Sequence, residues 1–189
     1  MTIFEFISVM VSIVLGLSLA HMLAGVSQFA RNSKRIDAYL PHSLWLVNLL
    51  LLHFLTWWSF WDYRETEWNY ARFLIIMLEP LLLFLTTSIA IPRKYDADRI
   101  DLRDYFHDVR KWFFISFLVL EAMYILDGPL VFNSEPVWFV YRIPQLIVVA
   151  AFVLGLVSRH DRAQLVSALM LNALMLWSSA IRFMPAAFE

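Results

Sequence analysis

Apolar residues run along this chain in six long blocks, at 3–29, 43–63, 73–91, 111–127, 138–158 and 165–183, each bounded by charge or by proline and glycine. Blocks of about 17–25 residues match a helix that crosses a hydrocarbon layer roughly 30 Å thick. Within such a layer each segment must satisfy its own backbone, which the α-helix does. The pattern predicts an all-α, polytopic integral membrane protein: a six-transmembrane-helix bundle forming one domain over 1–189. The longest connection, 92–110, has its own order. Leu102, Tyr105, Phe106 and Val109 share one helical face, bordered by Arg99, Arg103, His107 and Arg110, with Asp101, Asp104 and Asp108 opposite. That predicts a juxtamembrane helix at about 98–110, lying on the bundle or the headgroups.

Composition agrees with the blocks. Of 189 residues 61% are apolar and 16% charged, against about 45–50% and 25% in soluble domains, so a water-compatible shell could not cover the apolar excess. The absence of cysteine removes disulfides, thiolate metal sites and thiol nucleophiles. A net charge of −1 gives no bulk attraction for nucleic acid, so none is expected as a partner.

Lys and Arg alternate between the two sides. The first, third and fifth connections hold Arg31, Lys34, Arg35, Arg93, Lys94, Arg99, Arg103, Arg110, Lys111, Arg159 and Arg162, while the other side has Arg64, Arg72 and Arg182. Because cytoplasmic loops retain positive charge, both termini are expected outside the cytoplasm, in a multi-pass protein of a bacterial inner (plasma) membrane. Met1–Gly16 lacks a basic leader and a small-residue cleavage site, so the first block reads as a retained helix. Trp57, Trp58, Trp61, Tyr63, Trp68, Trp138 and Tyr141 fall at the outer level, and Trp45 and Trp112 at the inner one, as interfacial aromatics do.

Polar groups inside the blocks are the candidate chemistry, since an ionisable side chain at the bilayer centre costs roughly 2.5–3.5 kcal/mol. His53, Glu79, Glu121 and Asn172 fall near segment centres; His21 lies toward the inner side, and Arg142 with Gln145 toward the outer. Pro80 follows Glu79, removing a backbone donor and crowding the Ile76 carbonyl, so a kink is expected beside a carboxyl group. Polar, interrupted helix centres are where transporters hold ions. One reading is an ion or proton pathway through His53, Glu79, Pro80, Glu121, Arg142, Gln145, Asn172 and His21. The other is mutual satisfaction: Glu121 with Arg142, His53 with Glu79, Asn172 with a backbone carbonyl.

Ser8, Ser12, Gly16, Ala20 and Ala24 form a small-residue stripe on the first helix, the kind that lets two membrane helices pack closely. The facing helix belongs either to the same subunit or to a neighbour, so a homo-oligomer or a membrane-protein partner is expected beside the bilayer itself. Gly16, Gly25, Gly128 and Gly155 are the only glycines, and they write no phosphate-cradling loop. No nucleophile elbow, zinc-helix pattern, calcium loop or potassium-filter sequence occurs. His21 and His53 differ in depth by roughly 7 Å, which disfavours a pair of haem ligands. The expectation is a protein that is not an enzyme, with no metal and no cofactor. Two functions stay open: a channel or transporter for protons or small cations, and a non-catalytic accessory or sensory subunit acting by protein contacts.

The run Ser12-Ile13-Val14-Leu15-Gly16-Leu17-Ser18-Leu19-Ala20-His21, followed by the tryptophan-rich end of the second block, resembles a family of small polytopic bacterial membrane proteins that is uncharacterised. The resemblance covers roughly the first third of the chain and transfers no activity.

Overall fold

The computed structural model describes residues 2–92, 99–131 and 143–183. Among them the chain forms six α-helices: α1 (Ile3–Arg31), α2 (Leu40–Ser59), α3 (Tyr70–Ala90), α4 (Leu102–Val131), α5 (Ile143–Val157) and α6 (Asp161–Phe183). A 3-10 turn, Phe60–Glu65, prolongs α2, and two short strands, β1 (Ile36–Asp37) and β2 (Ile100–Asp101), pair in parallel. Taking α2 with its 3-10 extension, α1, α2, α3 and α6 are each long and apolar enough to cross a bilayer, while α5 is a shorter apolar helix.

Helix limits follow local chemistry. Thr2 accepts from the Glu5 backbone N–H at 3.1 Å while Glu5 accepts from the Thr2 N–H at 2.8 Å, a capping box that starts α1. Pro41 sits in the first turn of α2, where its missing donor costs nothing. Asn69 accepts from the Arg72 N–H to start α3, and Asp101 takes the Arg103 and Asp104 N–H groups at the head of α4. The helix expected at 98–110 is therefore the beginning of α4 itself. Its apolar face is real, with Leu102 and Phe106 buried, but it continues unbroken into the block at 111–127, because Arg110 and Lys111 carry good helix propensity and nothing there ends the helix.

The helices close a ring in the order α1, α3, α4, α5, α6, α2, and α2 also leans inward to touch α3 and α4. An aromatic cluster fills the centre of one end. Trp45 is fully buried, edge-on to Phe113 and Phe114 at centroid distances of 5.4 and 5.1 Å, and Phe117 stacks on Phe152 at 4.7 Å. Trp45 is thus a core residue and not the interfacial marker expected of it. Trp57, Trp58, Trp61 and Trp112 are exposed as an interfacial aromatic would be. Trp138 and Tyr141 lie outside the described residues.

Candidate functional site

Connections one, three and five meet at one face of the bundle, the basic end. The Arg99 guanidinium donates to both carboxylate oxygens of Asp37, one of them at 2.8 Å, across the β1–β2 pair. Asp161, at the head of α6, accepts from the Tyr39 hydroxyl at 2.9 Å and from Arg103 Nε at 3.1 Å. The guanidinium of Arg99 holds the Asp37 carboxyl below its ordinary value, and burial, then the bond to Asp161, raises Tyr39 above its own. Just inside this end, Arg110 and Gln164 both donate to the Gly155 and Ser158 carbonyls, satisfying the end of α5. A Cβ at Gly155 would clash with Phe114 Cζ, so this glycine is what lets α5 approach the Phe114 ring of α4 so closely.

Deeper in the bundle, polar side chains bond between helices. Asn172 donates to Asn48 Oδ1 at 3.1 Å, and Asn48 donates to the Ala168 carbonyl at 2.9 Å. Asn172 therefore reaches a side chain on α2, not the backbone carbonyl expected. His53 uses Nδ1 on the Leu49 carbonyl at 2.7 Å and Nε2 on Ser18 Oγ at 2.6 Å, so both nitrogens are engaged away from Glu79. His21 is only partly buried, against the Phe84 ring, and does not join His53. Sequence reasoning singled out none of Ser18, Asn48, Gln164 and Ser167 as bonding groups, though Ser18, Asn48 and Ser167 are polar residues inside apolar blocks and Gln164 directly precedes one.

Toward the opposite, tryptophan end lie the two carboxyls. Thr86 and Ser116 are hydrogen-bonded at 3.0 Å, which pins antiparallel α3 against α4. Glu79 stands seven residues from Thr86 and Glu121 five residues from Ser116 in that direction, which puts them within about 3 Å of one level at the helical rise of 1.5 Å per residue. Both are buried, 5% and 9% exposed. Pro80 is buried inside α3, which continues through it to Ala90. Between α2, α4, α5 and α6 is a cavity of about 260 Å³, lined by Glu121, Tyr124, Gln145 and Ser178 among aliphatic and aromatic walls. The Tyr124 hydroxyl is fixed by Thr56 at 2.7 Å. Arg142, expected beside Glu121, lies outside the described residues.

Among the described residues most of the small-residue stripe of α1 faces outward, although Ser12 accepts from Trp57 Nε1 at 3.3 Å. Gly16, Ala20 and Ala24 are exposed, and a Cβ on Gly16 would meet nothing within 4 Å. The buried side of α1 is Ile7, Val11, Leu15, Ser18, Met22 and Gly25 instead, where Gly25 lets Ile91 approach to 2.5 Å of its Cβ position. Near the tryptophan end Ser8 and Ser12 border a groove of about 500 Å³ with Trp57, Trp58 and Trp61. No family model, curated protein or solved structure matches this chain.

Proposed function

We propose that this chain is a multi-pass integral membrane protein of six crossing helices, assembled as an oligomer, that conducts or carries protons or small cations through a polar core. The observation behind the reading is the shared level of Glu79 and Glu121. Two buried carboxyl groups stand at one level on adjacent helices, one of them opening on a cavity, where each ionised carboxylate is costly without a proton or cation. Pro80 leaves the Ile76 carbonyl free of its helical partner beside Glu79, which softens α3 where the charge would change. The remaining interior polar groups, His53 and Asn172 among them, hold the helices together in this reading. The basic end faces the cytoplasm, both termini lie outside it, and the membrane is a bacterial plasma membrane.

Flux into liposomes from the purified protein tests this. The wild type should collapse an imposed proton or monovalent-cation gradient, and Glu121→Gln or Glu79→Gln should slow it at least tenfold. Wild-type flux from both variants overturns the assignment.

The second reading, a non-catalytic accessory or sensory subunit, is favoured by the outward stripe Gly16, Ala20 and Ala24, a close-packing surface that is exposed among the described residues. It predicts a membrane partner that co-purifies with the wild type, is lost from Gly16→Ile, and leaves the isolated chain without flux.

A further inference from the structure

The cavity between α2, α4, α5 and α6 carries more information than the carboxyl pair. Its volume is about 260 Å³, and most of its wall is hydrocarbon and aromatic surface such as Leu52, Val148 and Leu171. Ligand sites have this character: apolar walls with a few polar groups that fix orientation. The charged group here is Glu121, and among the described residues no Lys, Arg or His lines the cavity. Among the described residues Glu121 makes no ion pair or hydrogen bond.

A carboxylate so placed calls for a proton or a cation, and the walls decide which kind of cation fits. A calcium ion that sheds its water takes about six to eight oxygen ligands in its place. Apart from Glu121, the polar lining side chains are Tyr124, Gln145 and Ser178, which is too few to replace a hydration shell. An organic ammonium ion carries its own apolar cover. Its methyl or aryl groups match the leucine and valine walls, and its charge would meet the Glu121 carboxylate, with Tyr124, held by Thr56 at 2.7 Å, also lining the cavity. We infer that this cavity binds a small lipophilic organic cation, a quaternary or protonated amine, with Glu121 as its counter-ion. The inference rests on the reading of Glu121 as a charge site and names the substrate class of that site.

Benzyltrimethylammonium and its uncharged carbon isostere neopentylbenzene separate charge from shape. Equilibrium binding to the protein in lipid nanodiscs, with empty nanodiscs as reference, should show saturable binding of the ammonium and at least tenfold weaker binding of the isostere. Glu121→Gln should lose at least tenfold for the ammonium alone. Leu174→Trp fills the cavity without touching the carboxyl and should abolish binding of both; an unchanged elution profile and melting temperature establish that each variant is folded. Equal binding of the two probes, unaltered affinity in Glu121→Gln, or no saturable binding overturns the inference. Glu121-dependent proton flux without ammonium binding removes this ligand and leaves the transport reading intact. Saturable, Glu121-dependent binding without any flux does the reverse.

Discussion

Ser18 of α1 meets His53 of α2 through the one ring nitrogen that His53 does not use on its own helix. The Leu49 carbonyl, 2.7 Å from Nδ1, can only accept, so Nδ1 carries a proton; in the neutral ring Nε2 then accepts from the Ser18 hydroxyl at 2.6 Å. Both side chains are buried. Ser18→Ala strands a buried acceptor, which should cost about 1–3 kcal/mol. In a chain of this size that is a fall of several degrees in Tm, measured by thermal unfolding in detergent. Ser18→Ala with His53→Leu removes both partners and should recover part of the loss. A Ser18→Ala protein that melts with the wild type would show that the bond contributes nothing.

Two glycines should respond in opposite ways to one added methyl group. Gly155→Ala drives a Cβ into Phe114 and should cost about 1–3 kcal/mol, as overpacking does, with Phe114→Leu relieving it. Gly16→Ala meets open space and should leave the melting temperature unchanged or raised, since Ala is the better helix former. Equal losses at both positions would contradict the packing described.

At the end of α5, Arg110 and Gln164 share the same two carbonyls. Either Arg110→Met or Gln164→Leu leaves the carbonyls one donor. Together they leave buried acceptors bare, so the double variant should lose more stability than the two single losses added. Additive melting shifts would mean that the two side chains act independently.

The basic end should respond to acid and to alkali at different residues. Asp37 is held below its ordinary value near 3.8 by Arg99, so its contribution is present above that value and is lost as pH falls through the lower folded one. The carbon-13 shift of its carboxyl should titrate below 3.8 in the wild type and return toward that value in Arg99→Gln. Tyr39 is raised above 10.0 by burial and by Asp161, so its contribution is full below about 10 and fades as pH rises through the higher folded value. Comparison of ultraviolet phenolate titrations of wild type and Tyr39→Phe should place this tyrosine last to ionise.

The helices were legible because apolar runs of membrane length are a one-dimensional signal, and all six blocks coincide with helices in their described parts. The bonds between helices were not, because partners depend on which helix stands beside which. Asn172 stands out in the sequence as a polar residue at mid-block, but its partner Asn48 is set by the contact of α6 with α2, which no local pattern records. The stripe on α1 shows the same limit. A four-residue spacing of small side chains identifies a smooth face but not its direction, and Ser18 and Gly25 sit on the face that turned inward. Arg110 looked like the border of a surface helix, yet it is buried, because the end of α5 supplies the carbonyls that satisfy it.

The ion pair of Arg103 with Asp161 also constrains how many times the chain can cross. Arg103 lies in the first turn of α4 and Asp161 opens α6 just after α5, and both stand at the same face of the bundle. Between two points on one side of a bilayer the number of crossings is even, so α4 and α5 traverse together or not at all. The Asp37–Arg99 clasp imposes the same parity on α2 and α3. With α1, α2, α3 and α6 crossing, the total is four or six and never five, so accessibility labelling of the single junction between α4 and α5 decides the topology of the whole chain.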